Sequence, residues 1–256
     1  MSTLFLVGTP IGNLEDISLR ALRILREVGL IAAEDTRVTR KLLSHYDIHT
    51  PLLSYQEHNA HRQTPKILCA LTSSNVALTC DAGMPGTSDP GACLVDSVIG
   101  EGHNVVPIPG PSSLTVAIAV CSFKIDGFLF LGFLPRNHGK RKSLLSNISH
   151  MNWPIVIMEA PHRFRQTLTD ILDILGDRQM TTCRELSKIH EEIFHGLVSE
   201  GLSHFTNPKG EIILVLQGQN SPDPIMNEID LRHLFDEIMA RELTGRDTVF
   251  ELVENA

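Results

Sequence analysis

No stretch of this 256-residue chain approaches the run of about 18 apolar residues that a membrane-crossing helix needs. No basic region precedes the short apolar run after Met1-Ser2-Thr3, so a secretory signal is not expected and a cytoplasmic location is. The five cysteines (Cys69, Cys80, Cys93, Cys121, Cys183) are scattered and form no Cys-x-x-Cys, which fits reduced thiols rather than a disulfide framework. Gly-x-Gly-x-x-Gly and Gly-x-x-x-x-Gly-Lys-Ser/Thr are both missing, which argues against dinucleotide and nucleoside triphosphate sites. A Gly-x-Ser-x-Gly elbow is missing too, so a Ser-His-Asp hydrolase has no support. His58 with His61, and His45 with His49, have helical spacing but no cysteine or third ligand nearby, so no metal is expected.

Positive charge is also scarce. Lysine and arginine number 22 against 30 aspartates and glutamates, a net charge of −8. The deficit is concentrated at the C-terminal end: from Asn220 to Ala256 there are nine acidic and three basic residues, leaving a near-neutral body of 19 basic and 21 acidic. One local cluster is basic, Arg136-Asn137-His138-Gly139-Lys140-Arg141-Lys142. A body of this kind cannot draw strongly on bulk phosphate attraction, so a nucleic-acid substrate would have to be recognised by a pre-formed shape.

What the chain does have is two glycine-and-proline turns, each closing an apolar run. Leu4-Phe5-Leu6-Val7 runs into Gly8-Thr9-Pro10-Ile11-Gly12-Asn13, and Val76-Ala77-Leu78-Thr79 into Cys80-Asp81-Ala82-Gly83-Met84-Pro85-Gly86-Thr87-Ser88-Asp89-Pro90-Gly91. Open α/β sheets bind ligands where a parallel strand gives way to a helix in this manner. Asp81 and Asp89 have a second reading as helix caps or turn formers, and Pro10-Ile11-Gly12 as a plain tight turn. Pro109-Gly110-Pro111-Ser112 carries the same ambiguity, since Ser112 suits the N-cap of a following helix.

Strand and helix signals alternate. Strands are expected at Thr3–Gly8, Leu30–Glu34, Leu52–Tyr55, Val76–Cys80 and Asn104–Pro107. Helices are expected at Ile17–Val28, Thr36–His45, Glu57–Thr72, Pro90–Glu101 and Ser112–Cys121. In the first helix Leu19, Leu22, Leu25 and Val28, with Ala21 and Ile24, make an apolar face. The pattern predicts an α/β fold with a mainly parallel sheet covered on both faces. A boundary is placed near Phe123–Gly127, followed by Phe128–Leu134 and the basic loop. A second α/β unit then has more antiparallel character. It carries helices near Lys140–His150 and Arg163–Leu175, and strands at Ile155–Met158, Met180–Glu185, Glu191–Val198 and Glu211–Leu216. The division is 1–123, 124–219 and an acidic tail 220–256 with one or two short helices.

Seven ordered motifs carry a resemblance. They are Thr9-Pro10-Ile11-Gly12-Asn13-Leu14, Ala32-Ala33-Glu34-Asp35-Thr36-Arg37, Asp81-Ala82-Gly83 with Pro85 and Ser88-Asp89-Pro90-Gly91, and Pro109-Gly110-Pro111-Ser112. Glu159-Ala160-Pro161-His162-Arg163, Arg184-Glu185-Leu186-Ser187-Lys188 and Lys209-Gly210-Glu211 complete the set. From about Leu4 to Gly218 the chain resembles the tetrapyrrole methylases, the class III S-adenosylmethionine-dependent methyltransferases. It is most similar to their branch acting on small-subunit (16S) ribosomal RNA, which 2′-O-methylates a cytidine ribose.

The resemblance implies S-adenosyl-L-methionine as cofactor, a two-domain fold with the pocket in the interdomain cleft, a homodimer, and the small ribosomal subunit as partner. It implies that Pro10, Ile11 and Gly12, then Asp81, Ala82, Gly83, Met84 and Pro85 with Thr87, flank the cofactor. Ser112 and Ser113 meet it from a helix start, and Glu159, Ala160, Glu185 and Gly210 close the pocket. No residue is singled out as general base; Asp81, Glu159 and Glu185, with Glu34 and Asp35, are candidates. The chain departs from the family pattern at Met84, where a threonine is usual, at Gly86, where a bulkier apolar residue is usual, at Gly8, where a proline is common, and in its short acidic tail. The porphyrinoid C-methyltransferases are the alternative branch, disfavoured because Gly8-Thr9-Pro10 and Gly83-Met84-Pro85 replace their Gly-x-Gly and Gly-Asp-Pro turns.

Overall fold

A computed structural model describes residues 1–86 and 91–219. The first ten elements are β1 (Thr3–Val7), α1 (Leu19–Glu27), β2 (Leu30–Ala33), α2 (Thr36–His45), β3 (Leu52–Ser54), α3 (Ala60–Leu71), β4 (Val76–Thr79), α4 (Ala92–Gly100), β5 (Asn104–Ile108) and α5 (Ser113–Ala119). The five strands form one parallel sheet in the order β3-β2-β4-β1-β5. β4 is buried at all four positions, as an apolar run covered on both faces must be. Ala21, Leu22, Ile24 and Leu25 of α1 pack with Ile31, Leu42 and Leu43 on one face, and Ile67, Leu71, Leu94 and Val98 pack with Leu4 and Leu78 on the other. Leu19 departs from the expected apolar stripe: it is the first residue of its helix and is 87% exposed.

The remaining elements are β6 (Leu129–Phe133), α6 (His138–Asn147), β7 (Ile155–Glu159), α7 (Pro161–Leu175), β8 (Gln179–Arg184), β9 (Glu192–Leu197), α8 (Val198–His204) and β10 (Ile212–Leu216). They form a mixed sheet ordered β6-β7-β10-β8-β9, in which β6 and β7 are parallel and every other pair is antiparallel. One face is covered by α6, α7 and α8 through Leu145, Phe164, Leu168, Ile171 and Val198. The other face, with Val156, Cys183, Ile213 and Val215, packs against Leu114, Ala117 and Ile118 of α5 and against Ile11. The helix after β5 therefore joins the two sheets, and the turns after β1 and β4 open onto the face of the second.

Two elements carried no sequence expectation, β6 and α8. The start of α8 is set by side chains that satisfy its free amides: Glu200 Oε2 accepts from Leu197 N at 2.7 Å and Asp177 Oδ1 from Ser199 N at 2.9 Å. The expected tail helices lie outside the described residues.

Candidate active site

The turns after β1 and β4 are stitched together. Thr9 N donates to Gly83 O (2.8 Å) and Gly83 N to Thr9 O (3.0 Å), while Thr9 Oγ1 donates to Cys80 O (3.1 Å). Gly83 sits at φ 85°, a conformation costly to any residue with a Cβ. The departures at Gly8 and Met84 belong together: a Cβ at position 8 would lie 2.7 Å from both Met84 Sδ and Gly110 Cα. Gly8 leaves the room that the longer Met84 side chain occupies.

Beside this pair of turns lies a cavity of about 410 Å³, a size usual for small-ligand sites (about 300–1,000 Å³). The first half contributes Ile11, Glu34, Asp81, Ala82, Gly83, Met84, Ser112 and Ser113, and the second contributes Phe130, Phe133, Met158, Glu159, Ala160, Cys183, Leu186, Glu211 and Ile213. Nine expected site residues thus share one cavity: Ile11, Asp81, Ala82, Gly83, Met84, Ser112, Ser113, Glu159 and Ala160. Gly12 and Glu185 line an adjoining groove with Asn13, Leu14, His45, Ser187 and Lys188. Pro10, Pro85 and Gly210 line neither, and Thr87 lies outside the described residues. The apolar wall of Phe130, Phe133, Met158, Leu186 and Ile213 escaped sequence reasoning.

Ser112 occupies the N-cap position of α5 yet makes no side-chain capping bond, so its hydroxyl is not consumed by the helix. The carboxylates divide by environment. Asp81 is drawn towards Asp35, whose N–H donates to Asp81 Oδ1 at 3.0 Å, and its own N–H donates to Glu34 Oε2 at 3.1 Å. Burial and the nearby Asp35 charge push Asp81 above the usual carboxylate range, against the opposing pull of the Asp35 amide and Arg37. Asp35 is committed instead to α2: it caps Arg37 N (2.8 Å) and grips the Arg37 guanidinium (2.6 Å), which lowers its pKa to about 2.

Glu159 is 1% exposed and fully engaged, accepting from Ala160 N (2.9 Å) and Thr167 Oγ1 (2.7 Å) and facing Arg163 Nη2 at 3.2 Å. Those bonds fix the turn into α7. Glu185, at φ 51°, accepts from Glu211 N and Lys188 Nζ, both at 2.9 Å, and these bonds hold its carboxyl low. Cys183, in the cavity wall, is pushed up to about 12 by burial and stays an unreactive thiol. Among the described residues no group of three or more His, Cys, Asp or Glu is placed to hold a metal ion.

The basic segment is a helix start rather than an open loop. Arg141 is 4% exposed and bonded to Asp170 Oδ2 (2.6 Å), His138 Nε2 lies 3.0 Å from Asp170 Oδ1, and Lys142 approaches Asp173 at 3.7 Å. Arg141 is therefore a core cation and not a phosphate contact. Arg136 and Lys140 are exposed and make no ion pair among the described residues.

Residues 3–201 match the family model described as Tetrapyrrole (Corrin/Porphyrin) Methylases. The ribosomal RNA small subunit methyltransferase I of Thermotoga maritima is 50% identical over 222 residues, covering 86% of this chain and 100% of that protein. The protein of the same name from Synechocystis is 43% identical over 260 residues, 99% of this chain and 93% of the other. In fold, the chain is similar to uroporphyrin-III C-methyl transferase from Thermus thermophilus, at TM-score 0.60 and 19% identity over 84% of this chain and 97% of that one. It is also similar to a cobalt precorrin-4 methyltransferase, at TM-score 0.62 and 14% identity over 83% and 94%. With its parallel and mixed sheets enclosing one cavity, the chain belongs to the tetrapyrrole methylases and, within them, to the ribosomal RNA small subunit methyltransferase I family.

Proposed function

We propose that the chain transfers a methyl group from S-adenosyl-L-methionine to a cytidine ribose 2′-hydroxyl of 16S ribosomal RNA, and that the small ribosomal subunit, not free RNA, is the substrate. The observation that carries this reading is the cavity between strand ends and sheet face; the relatives at 43–50% identity supply the RNA. The cavity's donor set suits the cofactor: serine hydroxyls (Ser112, Ser113) that make no hydrogen bond among the described residues, a carboxylate at one end (Glu34) to face a cation, and an apolar wall of Ile11, Met84, Met158 and Ile213. Bound there, S-adenosylmethionine would supply a sulfonium-activated methyl group. The porphyrinoid alternative has no observation of its own, because the likeness at 14–19% identity is one of fold.

A ribose hydroxyl is a weak nucleophile, so alignment is the main task of the protein, and alignment supplies about 7–11 kcal/mol in favourable cases. Ile11, Met84, Met158 and Ile213 exclude water from the line of transfer. Asp81, with its raised pKa, takes the hydroxyl proton, a contribution of about 10²–10⁴-fold. Glu34 positions it by accepting the Asp81 N–H. Glu159, held by several donors, shapes the cavity wall, and Glu185, in the adjoining groove, accepts from the N–H of Glu211 at the cavity edge.

The near-neutral body is the reason for preferring an assembled subunit. A homodimer belongs to the same proposal, supported by Thr115, Val116 and Ala119, which α5 leaves exposed on the side away from the second sheet. No described helix is long and apolar enough to cross a membrane. The test is a map of 2′-O-methylation on 16S RNA from cells with and without the gene. One cytidine should lose its methyl group in the deletion and regain it on complementation; an unchanged map rejects the function.

A further inference from the structure

Strand β6 is an edge strand and is irregular. Phe130 pairs with Val156 and Gly132 with Ile157, so Leu131 is an extra residue, and Gly132 takes φ 59°. The bulge changes which side chains reach the cavity. Leu129, Leu131 and Leu134 pack into the core under α6 and α7, while Phe130 packs on the opposite face. Strict alternation from Phe130 would give that face Gly132 and Leu134 and send Phe133 into the core. With one residue inserted, Phe133 lands on the cavity side instead, the re-aiming that bulges beside active sites perform.

The outcome is a phenyl ring that is 56% exposed although it lines the cavity. The backbone just after it is anchored: Arg163 Nη2 donates to Leu134 O at 2.8 Å and to Pro135 O at 3.3 Å, and the same guanidinium faces Glu159. Three residues beyond the ring comes Arg136, and seven beyond it Lys140, the cations of this segment that have no ion pair among the described residues. An exposed aromatic ring lining the cavity, followed by two cations with no ion pair among the described residues, suits an unstacked nucleotide, whose base could lie on the ring while its flanking phosphates meet the cations.

We propose that Phe133 is the platform on which the base of the target nucleotide stacks, fixing its ribose over the cavity. This rests on the RNA-methylation reading above. It is tested with the full chain, tritiated S-adenosylmethionine and 30S subunits from cells lacking the gene, comparing the parent with Phe133→Ala, Phe133→Leu and Phe133→Trp. A lost stack lowers kcat/KM at least about tenfold, mainly through KM, in the Ala and Leu variants. The Trp variant should stay within about threefold of the parent, since an indole offers the same face. S-adenosylhomocysteine affinity and melting temperature should not move. An active parent whose Ala variant keeps its KM overturns the stacking role alone. Lost S-adenosylhomocysteine affinity assigns the ring to the cofactor and overturns it as well. A parent inactive on 30S subunits removes the function and the stacking role together.

Discussion

The first sheet meets the cavity with the ends of its strands, the second with one of its faces. From the first come turns whose backbone is pinned by the Thr9–Gly83 pair, with the Asp81 and Glu34 carboxylates beside it. From the second come Phe130, Met158, Cys183 and Ile213, side chains standing off β6, β7, β8 and β10. Strand ends offer hydrogen-bonding groups and are sensitive to conformation; a sheet face offers shape and apolar surface and is sensitive to packing. One ion pair from each half differs in burial. In the first half Asp35 and Arg37 pair at the surface, whereas in the second Arg141 and Asp170 pair in the core.

The largest effect is expected at that buried pair. Burial alone would raise the Asp170 pKa, but the bonds from Arg141 and His138 outweigh it and hold it low. Asp170→Ala leaves the Arg141 guanidinium buried and unpaired, and urea denaturation should show a loss of about 3–5 kcal/mol. Gly83→Val acts on the other side. It should leave most of the stability intact, at a strain of about 1–3 kcal/mol, while calorimetry shows cofactor affinity weakened about tenfold or more; unchanged affinity in a folded variant would detach the turn from the cofactor. Reversing Arg136 and Lys140 to glutamate should raise KM for 30S subunits and flatten the salt dependence by about two in slope, with cofactor binding unaltered. Arg141 is left out of that pair because its loss would unfold the core. The pH profile gives a separate readout: kcat should fall on the acid side at a pH above that of an ordinary carboxylate, and Asp81→Asn should abolish that limb as well as lower the plateau.

The same division explains what the sequence discloses. The helix Thr36–His45 is bounded by Asp35, whose capping role is local, and its limits match the expectation. Gly83 marks a turn because few other residues adopt a φ near 85°, and Pro85 because its ring pre-sets a turn, so the first half of the cavity was legible from its motifs. The wall of the second half was not. Phe133 joins Phe130 on the cavity side only because Leu131 is inserted in the register, and an apolar run such as Phe128–Leu134 does not announce a bulge. Met158 and Ile213 are paired neighbours across β7 and β10, a relation between residues 55 positions apart. Arg141 looked like a surface cation for the same reason: its partner Asp170 sits on another helix. Gly12 and Glu185 were expected in the cofactor pocket, and their placement in the adjoining groove follows from the contact of Asn13 N with Ser187 Oγ (3.2 Å), which brings those loops together outside the cavity.

One cavity, walled by strand ends on one side and a sheet face on the other, is proposed to hold the cofactor. A crystal structure of the full chain with S-adenosylhomocysteine should show ligand density against Ile11, Gly83 and Ser113 on one side and Met158 and Ile213 on the other. Density in the groove beside Glu185 and Lys188, or contacts with one sheet alone, would contradict it.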